Sequence, residues 1–160
     1  MADPGEIVKK HLRWISMMPR VEPFYAVKCN NESGILQILA ILGTGFDCAS
    51  KAEIEQVLSL GVDPSRIVYA NPCKMRSHIK YAREGNVSMM TFDNDEELRK
   101  VKDFFPDAHL VIRILPPASK AVCNLGCKYG VPPDEALTLL KKAKQLDLNV
   151  IGVRFEVIFT

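Results

Sequence analysis

Strand-like apolar runs recur along this chain at nearly even intervals, amphipathic helical patterns fill the gaps, and the runs are mostly continuous rather than alternating. Together these predict an α/β fold on a parallel sheet covered on both faces. Right-handed crossovers limit such a sheet to an open doubly wound arrangement or a barrel. Units this short and regular favour the second: an incomplete (β/α)₈, TIM-type barrel of about six parallel strands with intervening helices. The runs are 24–28, 45–48, 67–70, 88–92, 109–114 and 150–155, and the first five begin about 20 to 22 residues apart.

A helix over 6–17 is expected first. Phe24 to Val27 has no helical spacing and reads as a buried strand that ends in Lys28. Ile35, Ile38, Leu39 and Leu42 form the next helical stripe, and Gly43-Thr44-Gly45 is a helix-to-strand turn. Ser50, with Glu53 three residues on, is a capping box opening a helix that carries Ile54, Val57, Leu58 and Leu60. Ser77, Ile79, Tyr81 and Ala82 mark a short helix. Asp93 or Asn94 caps another, with Leu98, Val101 and Phe105, and Pro133-Asp134 opens the last, with Ala136, Leu139, Leu140 and Ala143 on one face. Gly61, Gly85 and Pro106 punctuate the helix ends.

Size and composition bound the functions. A chain of 160 residues, 48% hydrophobic and 25% charged, is one ordinary globular domain. A net charge of +2 gives no argument for a nucleic-acid or membrane partner. No apolar stretch reaches the roughly 20 residues of a membrane span. The segment 1–6 lacks the basic head and apolar stretch of a signal peptide. Cys29, Cys48, Cys73, Cys123 and Cys127 are odd in number and mostly sit in or beside apolar runs, which fits reduced thiols in a cytoplasmic protein. Cys123 and Cys127 have no second Cys or His pair nearby, and His11, His78 and His109 are scattered, so no metal site is expected. There is no G-x-G-x-x-G, Walker or G-x-S-x-G sequence. The acidic run 93–97 begins a helix, where carboxylates favour the dipole, and reads as structural.

Barrel enzymes keep their chemistry at the carboxyl ends of the strands. Those positions hold Lys28 with Asn30, Asp47, Asn71, Asp93, Arg113 and Glu156. Lysine is rarely buried unless paired or functional, and desolvation frees the neutral amine that forms an imine with a carbonyl. The alternative is a lysine that closes its strand and snorkels to water. Asp47 needs a cation, for which Lys28 on the adjacent strand is the nearest candidate, and Arg113 among apolar residues needs an anion. Taken singly, these are structural ion pairs. Three strands ending in Lys, Asp and Arg favour a charged cluster at a barrel mouth.

The segments 22–30, 43–51, 67–74, 89–93 and 119–123 closely resemble the ornithine decarboxylase family, within the pyridoxal-phosphate-dependent decarboxylases of ornithine, lysine and arginine. The resemblance implies an alanine-racemase-like barrel, followed in the family by a second β domain, and pyridoxal 5'-phosphate as cofactor. Lys28 matches the lysine that holds the cofactor, and Asp47 and Arg113 match active-site positions beside it. It implies decarboxylation of L-ornithine to putrescine for polyamine biosynthesis, in a homodimer with Lys128 at the subunit interface. Residues 76 to 99 resemble the surface that binds antizyme, with Arg76, Lys80, Arg83 and Arg99 facing an acidic partner. The resemblance also departs. A family histidine that stacks on the cofactor is replaced by Glu156, and a phosphate-binding glycine-serine pair by Ile158 and Phe159. The expectation is therefore a single partial barrel domain over 1–160, truncated at both ends, with an exposed flank and without decarboxylase activity or firm cofactor retention alone. A noncatalytic, antizyme-inhibitor-like binder of antizyme is the alternative. Asp47 favours the enzyme, since such inhibitors replace that aspartate.

Overall fold

The computed structural model describes residues 3–115 and 129–156. Among the described residues six α-helices and six strands alternate: α1 (Pro4–Met17), β1 (Phe24–Ala26), α2 (Ser33–Ile41), β2 (Gly45–Cys48), α3 (Lys51–Ser59), β3 (Ile67–Tyr69), α4 (Arg76–Glu84), β4 (Met89–Phe92), α5 (Asp95–Phe104), β5 (His109–Arg113), α6 (Pro133–Gln145) and β6 (Asn149–Arg154). The strands form one sheet in the sequential order β1-β2-β3-β4-β5-β6, every neighbour parallel. Sequential parallel order is barrel topology. Its curl can be measured by one contact. Arg154 at the end of β6 lies 2.9 Å from Asp47 on β2, four places away, whereas a flat sheet would separate those strands by roughly 19 Å. The expected incomplete barrel is the observed architecture.

The helix starts follow their side chains. Asp3 accepts from the Gly5 amide at 2.8 Å, with Pro4 as first helical residue of α1. The Ser50 hydroxyl accepts from the Glu53 amide, and Glu53 reaches back at 2.6 Å to the amide of Ala49, one residue before the cap. Asn94, not Asp93, caps α5, accepting from the Glu97 amide at 2.9 Å. Gly61 ends the α3 segment at φ +78°, a conformation that penalises a Cβ. At Gly45 the reason for glycine is space: a Cβ would fall 2.7 Å from the Phe24 ring. The left-handed residue after α4 is Asn86, φ 56°, with Gly85 itself in an ordinary conformation.

Phe46, Ile67, Tyr69, Met90, Phe92, Leu110 and Ile112 of the sheet pack with Leu36, Ile54, Val57, Ile79, Leu98 and Val101 of the helices to make one buried core. β3 is buried at every position, as a run covered on both faces requires. β6 is different. Val150, Gly152 and Arg154 are half-buried while Ile151, Val153 and the following Phe155 are exposed, as are Leu12, Ile15 and Met17 of α1. The expected apolar flank is thus present along α1 and the outer side of β6.

One element is shorter than expected, with consequences for chemistry. β1 stops at Ala26, and Val27–Cys29 form a 3₁₀ turn. Lys28 therefore lies beyond the strand and is exposed instead of buried. Turning the backbone there leaves Val27 to fill the core and lets the amine reach solvent, as the snorkelling alternative required.

Candidate active-site cleft

The carboxyl ends of the strands enclose a cleft of about 270 Å³ lined by Lys28, Asn71, Arg113, Tyr129 and Glu156, together with small residues of the β2 and β3 loops. The 3₁₀ turn after β1 supplies Lys28. The loop after β3 supplies Asn71, whose Nδ2 donates to the Ala49 carbonyl at 3.2 Å while its Oδ1 accepts from the Cys73 amide at 2.9 Å. Asn30 does not contact the charged cluster: its Oδ1 caps the amide of Glu32 at 3.0 Å, and its carbonyl accepts from the Tyr25 hydroxyl at 3.1 Å. Asp93 is a loop anchor, accepting from the Gly130 amide at 2.8 Å.

From the cleft wall at Arg113 and Glu156 a chain of alternating charges runs to Asp47. Asp47 Oδ2 meets Arg154 Nη2 at 2.9 Å, that nitrogen meets Glu156 Oε1 at 3.0 Å, and Glu156 Oε2 meets Arg113 Nη2 at 2.9 Å. Arg113 also stands over the Tyr129 ring, 5.4 Å from its centroid. Arg113 therefore finds the anion it was expected to need. The pairing of Asp47 with Lys28 is corrected. Its cation is Arg154, and among the described residues no carboxylate comes within 4.0 Å of the Lys28 amine. Adjacent strands suggested the first pairing; the curl of the sheet produces the second. The other carboxylate oxygen, Asp47 Oδ1, is buried with no hydrogen-bond partner among the described residues.

Sequence reasoning missed Arg154, although an arginine between Val153 and Phe155 carries the signal that singled out Arg113. It also missed a fully buried ion pair. Lys74 Nζ lies 2.7 Å from Glu97 Oε1, both side chains being 0% exposed, and it donates to the carbonyls of Thr91 and Asn71 at 2.6 and 3.1 Å. Lys100 closes on the second oxygen of Glu97 at 2.6 Å. The acidic start of α5 is structural, as expected, but Glu97 serves this pair as well as the helix dipole.

On the flank, Arg76 and Lys80 stand 5.9 and 5.0 Å from the Phe104 ring centroid, and Arg83 Nη1 donates to the Phe104 carbonyl at 3.5 Å. Lys80, Arg83 and Phe104 also line a groove between α4 and α5 with Glu84 and Asp103. The structure brings together three of the four expected basic residues. Arg99 is instead engaged by Asp95 at 3.0 Å. Lys128 lies outside the described residues.

The family pattern described as "Pyridoxal-dependent decarboxylase, pyridoxal binding domain" matches residues 4–158. The chain is 55% identical over 157 residues to the ornithine decarboxylases of Neurospora crassa and Rattus norvegicus, covering 98% of this chain and 32% and 34% of those proteins. It is 54% identical over 157 residues to antizyme inhibitor 2 of Xenopus laevis, covering 98% of this chain and 34% of that protein. Among solved structures, the arginine decarboxylase of Paramecium bursaria Chlorella virus superposes with a TM-score of 0.93 at 39% identity, over 96% of this chain and 42% of that one. The ornithine decarboxylase of Entamoeba histolytica superposes with 0.88 at 35% identity, over 98% and 42%. The chain thus spans about a third of the length of the curated relatives it matches. With a barrel whose strand ends bring Lys28, Arg113 and Glu156 to one cleft, and a family pattern over nearly its whole length, the chain belongs to the pyridoxal-dependent decarboxylases, through their pyridoxal-binding domain.

Proposed function

We propose that this chain is the cofactor-binding part of a cytoplasmic, pyridoxal-phosphate-dependent decarboxylase that converts L-ornithine to putrescine, with Lys28 as the residue that holds the cofactor. The carrying observation is an exposed primary amine at the edge of a cleft that also presents Arg113, Asn71 and Tyr129. The donor set fits the group. An amine with no carboxylate within 4.0 Å among the described residues suits an aldehyde, and the buried Asp47 Oδ1, unpartnered among them, suits a donor from a ring substituent.

When bound, pyridoxal phosphate supplies the electron sink that accepts the carbanion left by loss of carbon dioxide. The chain's own residues prepare for this. Lys28 would supply the amine nucleophile, and its position off the strand end gives it freedom to approach a carbonyl. Arg154 fixes Asp47 by one oxygen and leaves the other buried and unpartnered among the described residues. Asn71, held by the Ala49 carbonyl and the Cys73 amide, keeps the β3 loop at the cleft wall. A homodimer with Lys128 at its interface belongs to the same reading.

Grafting tests the proposal. Residues 4–156 replace the matching segment of the Neurospora crassa ornithine decarboxylase, and release of labelled carbon dioxide from carboxyl-labelled ornithine is followed. The expected result is release that Lys28→Ala abolishes. Release untouched by that substitution defeats the assignment. The isolated 160-residue chain is expected to release none, since it spans a third of those relatives and electrostatic preorganisation is often the largest catalytic contribution.

A second reading is supported by the likeness to antizyme inhibitor 2 and by the basic side chains of Arg76, Lys80 and Arg83 around Phe104. In it, α4 and α5 dock antizyme through Arg76, Lys80 and Arg83, whether or not the cleft is active. Capture of antizyme by the purified chain, reduced about tenfold in Lys80→Glu/Arg83→Glu, is expected. Capture that is absent, or indifferent to those charges, removes this reading.

A further inference from the structure

Both oxygens of Glu156 are committed to guanidiniums, one to Arg154 and the other to Arg113. Asp47 holds Arg154 from the opposite strand. Two carboxylates thus face two guanidiniums, and among the described residues lining the cleft Lys28 is the one basic side chain with no carboxylate within 4.0 Å. Glu156 is the member that lines the cleft itself beside Arg113 and Lys28, so its charge lies where the far end of a bound ligand is felt. It is only partly exposed, at 29% of its side chain, which limits screening by water.

We infer that Glu156 is a specificity-determining residue: by occupying Arg113 and Arg154 it weakens the cleft's hold on a phosphorylated aldehyde relative to its unphosphorylated counterpart. This rests on the reading that Lys28 condenses with a carbonyl. In that condensation the Lys28 nitrogen adds to the aldehyde carbon, a C–N bond forms, and the carbonyl oxygen leaves as water. No electrons change hands until borohydride delivers hydride to the C=N bond in the assay. Losing the Glu156 carboxylate removes a repulsion toward a phosphate dianion and frees two cations. Losing the Arg154 guanidinium removes an attraction and frees two anions. The two changes therefore act on phosphate binding with opposite sign, which plain destabilisation of the cleft cannot do.

The test titrates the 160-residue chain with pyridoxal phosphate and, separately, with pyridoxal. Adducts are trapped with borohydride and counted on the Lys28 peptide by mass spectrometry. The quantity read is the ratio of half-saturating concentrations, so the two aldehydes' intrinsic reactivities cancel between variants. Glu156→Gln is expected to raise the preference for the phosphorylated aldehyde about tenfold, the size of a unit charge acting across a partly solvated cleft. Arg154→Gln is expected to lower it. Should Arg154→Gln fail to fold, as judged by its melting transition, Glu156→Gln alone decides. An unchanged ratio in Glu156→Gln, or a shift of both folded variants in one direction, overturns the inference while leaving the Lys28 assignment standing. An adduct absent from Lys28 in every form overturns that assignment and this inference together.

Discussion

Arg154 on β6 and Asp47 on β2 meet across the barrel interior at 2.9 Å, the one ion pair among the described residues that ties the two halves of the open sheet together. Neighbouring strands are held by their ladders, but nothing in a ladder sets the distance between the second strand and the sixth. Arg154→Met keeps much of the side-chain stem and removes the charge, leaving Asp47 with both oxygens unpartnered. The expected loss is about 1–3 kcal/mol of unfolding free energy, read from the urea midpoint. Arg154→Met with Asp47→Asn is expected to recover part of it. A single variant as stable as the parent contradicts the role given to this pair.

That contact also marks where the sequence stops being legible. Strand-helix alternation is local, so the six strands, the Ser50–Glu53 capping box and the helix openings could be read from periodicity and end signals. Most residues at the strand ends could be read as well, since they follow from strand position, Arg154 at the end of β6 excepted. Their pairings could not. Asp47 chooses Arg154 over Lys28 because the sheet curls, and curl is a property of the whole barrel. Nor could the end of β1 at Ala26 be read, because an apolar run ending in lysine looks the same whether its last residues are strand or 3₁₀ turn.

Lys74 and Glu97 were likewise invisible as a pair, standing 23 residues apart on a loop and a helix. Burying this pair is costly, and breaking it costs more than replacing it. Lys74→Met is expected to lose about 3 kcal/mol, because Glu97 keeps only Lys100 and the backbone amide of residue 74, and the Thr91 and Asn71 carbonyls lose their donor. Lys74→Met/Glu97→Leu is expected to be the more stable of the two variants, with Lys100 turning to solvent. Equilibrium denaturation compares them, and the reverse order contradicts the account.

Cys48 gives the chain an alkaline weakness. Burial first, then the carboxylates of Glu53 and Asp47, push its thiol up to about 12 from an ordinary 9.0. Burial also pushes the Tyr69 hydroxyl up to about 12 from 10.0. The unfolded chain loses the Cys48 proton near pH 9 while the folded chain keeps it. Stability from this group is therefore complete below pH 9 and declines as pH rises toward 12, by at most about 1.4 kcal/mol per pH unit. Cys48→Ala is expected to flatten the decline between pH 9 and 10 in a series of urea midpoints, whatever it does to stability at neutral pH. A decline of undiminished slope contradicts the assignment. Cys29 and Cys73, both exposed, are expected to react with a thiol reagent in the folded chain, and Cys48 only on unfolding.

The whole functional account turns on which amine takes an aldehyde. The 160-residue chain is mixed with pyridoxal phosphate at low excess, reduced with borohydride and digested, and the modified lysines are mapped. The account predicts a dominant label on Lys28, lost in Lys28→Ala without compensating label elsewhere. Label spread evenly over exposed lysines such as Lys9 and Lys80, and unchanged by that substitution, contradicts it.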